Sequence, residues 1–137
     1  MTFAPRPEGG RPRVLVVDDA PDMRRSIARL LKANHDIVEA YDGVMAVEMV
    51  EKSLATGEPI HAMLLDVEMP RMNGRDALEA IAKLAPELAA RAIIMSGGAW
   101  DSDLGQWLAR LPPERVLWKP MTVDALRLAI GRALVGG

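Results

Sequence analysis

Three apolar runs constrain this chain more than any other feature: Arg13-Val14-Leu15-Val16-Val17, Ala62-Met63-Leu64-Leu65 and Arg91-Ala92-Ile93-Ile94-Met95. Each has the length of a β-strand and lacks polar alternation. A strand of this kind has no side suited to water, so it must be buried on both faces, as in a parallel sheet covered by helices. Asp36–Ala40 and Arg115–Trp118 read as two further short strands.

The segments between strands carry helical spacing. Pro21 suits the first turn of a helix whose stripe is Met23, Ile27, Leu30 and Leu31, closed by residues 32–35. Asp42-Gly43 reads as a turn. Ala46, Val47, Val50 and Leu54 then mark a second helix, stopped by Gly57 and Pro59. Asn73 caps a third helix with Ala77, Leu78, Ile81 and Leu84 inward, ending near Pro86. A fourth spans roughly 101–111, with Leu104, Trp107, Leu108 and Leu111 on one side, and Pro112-Pro113 breaks it. Thr122 caps the last, which turns Val123, Leu126, Ile130 and Leu134 inward. Strand and helix alternate five times. That pattern requires right-handed crossovers and a central parallel sheet, hence a flavodoxin-like (βα)5 three-layer sandwich with strand order 2-1-3-4-5. The domain is expected over residues 13–135, preceded by a flexible Pro/Gly/Arg-rich tail, 1–12.

A length of 137 residues suits one domain with a sizeable core. The net charge of −2 gives no ground for a nucleic-acid surface. The chain has no cysteine, which excludes disulfides and thiolate metal sites and fits a reducing, cytoplasmic setting. The N-terminal stretch lacks the apolar core of a signal peptide. No apolar run approaches the roughly 20 residues that cross a bilayer, so no membrane partner is expected.

Four strands end in polar residues: Asp18-Asp19, Asp66, Ser96 and Lys119. Ligands of open α/β sheets bind at the carboxyl ends of the strands. Strands 1 and 3 are neighbours in the expected order, so Asp18, Asp19 and Asp66 should converge. Their mutual repulsion calls for a proton or a hard cation, and oxygen ligands with water suit Mg²⁺. Lys119 adds a positive point charge and Ser96 a hydroxyl donor. Acids, cation, ammonium and hydroxyl together describe a phosphoryl site with Asp66 as the nucleophile. Taken singly, Asp18-Asp19 also suits a helix cap, Asp66 a turn, Ser96 a loop and Lys119 the solvated surface. Their joint arrival at one sheet edge favours the site.

Val16-Val17-Asp18-Asp19, Leu65-Asp66-Val67-Glu68-Met69-Pro70-Arg71-Met72-Asn73-Gly74, Met95-Ser96-Gly97 and Lys119-Pro120 are the motifs of a known family. Over residues 13–134 the chain resembles the receiver domains of two-component response regulators. The resemblance implies that Asp66 accepts a phosphoryl group from a phosphohistidine on a histidine kinase or histidine phosphotransfer protein. It also implies Mg²⁺ bound by Asp19, Asp66 and the backbone carbonyl of Glu68, with Asp18 acting through water. Ser96 and Lys119 would hold phosphoryl oxygens, and small Gly97 would leave the approach open. Receivers usually carry Tyr or Phe three residues before the lysine; here that position is Val116. The departure falls on the output and not on the chemistry. The switch is therefore expected in Ser96, Val116, Trp100 and Trp118. The output surface for a downstream partner would be the fourth helix, fifth strand and last helix (α4-β5-α5).

Other readings stay open. The double-Pro approach to strand five and the wording Ser96-Gly97-Gly98-Ala99-Trp100 also resemble receivers at the C-termini of hybrid histidine kinases, so the chain could be one excised. An Asp-nucleophile phosphatase also sets an acid at a strand end, but it resembles a D-x-D pattern, and Ala20 stands two residues after Asp18. A phosphorylation-independent interaction module need not keep the acid set. His35 and His61 lie outside any phosphoacceptor pattern and read as surface or loop residues.

Overall fold

The computed structural model describes residues 11–69, 71–98 and 102–135. Five strands, β1 (Arg13–Val17), β2 (Asp36–Ala40), β3 (Ala62–Asp66), β4 (Ala92–Ser96) and β5 (Val116–Trp118), form one parallel sheet in the order β2-β1-β3-β4-β5. Five helices connect and close it: α1 (Pro21–Leu31), α2 (Gly43–Thr56), α3 (Gly74–Leu84), α4 (Ser102–Arg110) and α5 (Val123–Val135). The expected (βα)5 sandwich and its strand order are both present.

The apolar runs alternate between two cores. Leu15, Val17, Met63, Leu65, Ala92 and Ile94 join residues of α2, α3 and α4 on one face. Val14, Val16, Ala62, Leu64, Ile93 and Met95 join α1 and α5 on the other. Side chains two apart along a strand share a face. These six-residue sets are almost wholly buried, which is why the runs show no polar alternation.

Local chemistry sets the helix ends. Asn73 Oδ1 accepts from the Asp76 N–H at 2.9 Å, and Thr122 Oγ1 from the Ala125 N–H at 3.0 Å. Asp42 caps α2 through the Met45 N–H at 2.9 Å, so Asp42-Gly43 opens a helix where a turn was expected. Leu54, Leu84 and Val123, expected inward, are exposed. Each lies at or near a helix end, where the stripe has run off the sheet. Two small elements were not expected: a one-turn helix, Pro86–Ala89, and a 3-10 turn, Pro113–Arg115, which takes the first residue assigned to strand five. Arg115 ties them to the sheet by donating to the carbonyls of Ala89 (2.6 Å) and Ala92 (3.1 Å).

His61 is a loop residue but not a surface one. It is buried before β3, and its Nδ1 accepts from the Arg13 N–H at 3.0 Å. Packing reaches back to Pro12, which is buried and whose carbonyl accepts from the Asp36 N–H at 3.0 Å. The rest of the expected tail, 1–10, lies outside the described residues, as does Trp100.

Candidate functional site

Alternation carries three strand ends to one place. Asp18 follows Val14 and Val16, Asp66 follows Ala62 and Leu64, and Lys119 follows Leu117, all on the face covered by α1 and α5. Asp18 and Asp66 are buried, on adjacent strands. Lys119 Nζ lies 3.2 Å from Asp18 Oδ2 and 3.5 Å from Asp66 Oδ1. Its backbone N–H donates to the Ser96 carbonyl at 2.7 Å, which fixes where the lysine leaves β5. Asp19 is exposed beside them, and carboxylate oxygens of Asp18, Asp19 and Asp66 lie within 4.8 Å of one another.

Ser96 has the opposite parity, following Ala92 and Ile94. It is fully buried, and its Oγ accepts from the Gly98 N–H at 3.2 Å, which leaves its proton free to donate. Gly97 is exposed, and a Cβ built there would meet only the Glu68 carboxylate, at 3.9 Å. Glu68 therefore flanks the open side of the site.

Burial, reinforced by the Asp18 carboxylate, pushes the Asp66 pKa up to about 7, against the opposing pull of Lys119 and the Glu68 N–H. Burial works to lower the Lys119 pKa, but Asp66 and Asp18 outweigh it and hold the ammonium above its ordinary value. Three carboxylates facing one ammonium leave an excess of negative charge. Oxygen-only donors, close together and under-neutralised, fit a hard divalent cation.

Two features behind the site were not expected from the sequence. Arg71, with φ of 63°, sits in the left-handed region and donates from Nε to Asp42 Oδ2 at 2.7 Å. This ties the loop after Asp66 to the start of α2. Gly74 is the second: a Cβ there would lie 2.4 Å from the Asp66 carbonyl oxygen and 2.8 Å from Val67 Cα. Only glycine lets α3 start so close beneath the acid. The Asn73-Gly74 pair reads as loop punctuation in the sequence, with nothing local to signal that contact.

The family profile described as "Response regulator receiver domain" matches residues 14–131. The chain belongs to the response regulator receiver family. Receiver domains of this family work in phosphorelay signalling, with histidine kinases and downstream partners. The receiver is 43% identical over 81 residues to a protein-glutamate methylesterase/protein-glutamine glutaminase of Pyrococcus abyssi, covering 57% of this chain and 21% of that protein. It thus spans about a fifth of the length of that relative. It is 31% identical over 125 residues to the protein PilH of Pseudomonas aeruginosa, covering 90% of this chain and 98% of PilH. Among solved structures, a response regulator receiver domain protein from Clostridium thermocellum superposes with a TM-score of 0.73 at 26% identity, covering 90% of this chain and 94% of that one. No helix among the described residues is long and apolar enough to cross a membrane.

Proposed function

We propose that this receiver takes a phosphoryl group onto Asp66 from the phosphohistidine of a histidine kinase or histidine phosphotransfer protein. The observation that carries the reading is the position of Lys119 between two buried acids at the carboxyl edge of the sheet. Asp19, Asp66 and the backbone carbonyl of Glu68 would hold Mg²⁺, with Asp18 acting through water. Bound there, Mg²⁺ supplies the positive charge that neutralises the carboxylates and the transferring group.

The chain's own residues do the rest. An Asp66 carboxylate oxygen forms the new bond to phosphorus, and the phosphorus–nitrogen bond breaks with its electron pair left on the imidazole. Lys119 turns from the acids to a phosphoryl oxygen, and the Ser96 hydroxyl donates to another. Gly97 keeps the donor's path open. Glu68, on that same open side, sets how readily water reaches the aspartyl phosphate, and so its lifetime.

The aspartyl phosphate carries about −1.5 to −2 charges at one point, where the carboxylate carried at most one. That charge must bias a two-state element, with coupling typically of about 1–3 kcal/mol. Val116 is buried against α4 and offers no aromatic ring to move. Trp118, two residues on, is half exposed. The change would then run from Ser96 through the following loop, with Trp100 and Trp118, to the α4-β5-α5 surface.

Incubation with acetyl phosphate and Mg²⁺ tests the reading. A band retarded on a Phos-tag gel supports it. An unshifted chain, with Mg²⁺ shown to bind, would favour a phosphorylation-independent interaction module on the same fold.

A further inference from the structure

Far from Asp66, the outer edge of β2 lies at the bottom of a groove of about 890 Å³. α1 forms one wall and α2 the other. β2 ends the sheet, with β1 as its one partner strand among the described residues. The Asp36 N–H donates to Pro12 and the Ala40 carbonyl accepts from Asp18, both toward the β1 side. Hydrogen-bonding groups of a strand alternate sides, so the amides and carbonyls of Ile37 and Glu39 face the groove.

The two walls differ. Arg25, Arg29 and Lys32 line the α1 side, with Arg11 beside them, whereas the α2 side offers Met49 with Lys52. Arg25, Arg29, Lys32 and Lys52 make no ion pair among the described residues, and Arg11 donates only to the Lys32 carbonyl, at 2.8 Å. Of the acids in the groove, Glu58 is paired with Arg13 and Glu39 with Arg24, which leaves Asp36. Five unneutralised cations thus face one free acid, in a chain whose net charge is −2. Exposed lysines and arginines also guard edge strands against chance pairing. A guard has no need of a two-walled groove with one basic and one largely uncharged side.

We infer that this groove binds an extended segment of a partner protein in which acidic and apolar side chains alternate, added as a sixth strand beside β2. Strand addition supplies main-chain hydrogen bonds to Ile37 and Glu39, and alternate side chains select the walls. The acids turn to Arg25, Arg29 and Lys32, and the apolar residues to Met49 and Val38. Neither Asp66 nor its cation takes part, so the inference stands apart from the proposed phosphoryl chemistry.

The probe is a fluorescein-labelled octapeptide of four Glu-Val repeats, added to the full chain and followed by anisotropy and by amide exchange. The expected result is saturable one-to-one binding that slows exchange at Ile37 and Glu39. A peptide of the same composition with its four Glu grouped before its four Val should bind at least tenfold more weakly. Arg29→Glu with Lys32→Glu, both on an exposed wall, should weaken the alternating peptide at least tenfold while leaving the circular dichroism spectrum unchanged. No binding at millimolar peptide would overturn the inference. Equal binding of the grouped peptide or of single-stranded DNA, with no protection at Ile37 and Glu39, would also overturn it by showing attraction of any polyanion. If that double variant unfolds, Arg25→Glu, also exposed on the α1 wall, supplies the same comparison.

Discussion

Lys119 stands closer to Asp18 than to Asp66, at 3.2 Å against 3.5 Å. The ammonium is therefore shared by two buried carboxylates, the nearer of which is not the proposed nucleophile. One positive charge cannot satisfy both, and Asp19 adds a third acid at the rim. Burial first, and then the neighbouring Asp18 carboxylate, raise the pKa of Asp66. A divalent cation would remove the excess of negative charge and leave the lysine available for a phosphoryl oxygen.

Mg²⁺ should therefore stabilise the fold, since the acid cluster exists only in the native arrangement. At a concentration 100 times its dissociation constant the gain is about 2.7 kcal/mol. Thermal unfolding followed by circular dichroism should show a rise in Tm of several degrees in millimolar Mg²⁺, and a smaller rise in Asp19→Ala. An unchanged midpoint in the wild type would speak against a metal site.

The pH dependence of the metal-free protein follows from Asp66. Its pKa is about 7 in the folded chain against an ordinary 3.8. Between those values the folded state binds more protons than the unfolded state, so this group's contribution falls as pH rises through the window. Below about pH 4 the penalty vanishes, and above about 7 it is complete. In chelator at pH 8, Asp66→Asn should melt on the order of 5 °C higher than wild type, and the gap should close toward pH 4. A gap that is constant with pH would show that Asp66 is not held in this way.

Lys119→Ala leaves two buried carboxylates without their ammonium. The variant should be less stable than wild type without metal, bind Mg²⁺ at least as tightly, and label at least tenfold more slowly with a small phosphodonor. Isothermal titration and a labelling time course separate these effects. Loss of metal binding with unaltered labelling would mean that the lysine has been given the wrong role.

Asp42 does two jobs behind the site: it caps α2 and holds Arg71. Burial works to raise its pKa, but the Met45 N–H and Arg71 prevail and hold it below the usual carboxylate range. Its contribution is thus present above about pH 4 and fades as pH falls through the lowered value. Loss of the cap alone costs about 1 kcal/mol. Urea denaturation at pH 7 should show Asp42→Ala destabilised by at least that much, and more so than Arg71→Ala. Equal effects of the two substitutions would place the whole value in the ion pair.

The residues that gather at the sheet edge were legible because strand alternation and strand ends are written locally. Val14 and Val16 aim Asp18, Ala62 and Leu64 aim Asp66, and a parallel order brings those strands side by side. Contacts between loops carry no such signature. Arg71 reaches an acid 29 residues earlier, Gly74 is required by a carbonyl eight residues earlier in another element, and the buried His61 accepts from the amide of Arg13, 48 residues earlier. The exposure of Leu54, Leu84 and Val123 was hidden for a related reason. Helical spacing says which residues share a face, not how far along the helix the sheet extends beneath it.

The central claim is that Asp66 alone receives the phosphoryl group. Asp66→Asn keeps the size of the side chain and removes its nucleophilic charge. Intact-protein mass spectrometry after incubation with acetyl phosphate and Mg²⁺ should show one added phosphoryl group on the wild type and none on the variant. Equal labelling of both chains would contradict the assignment.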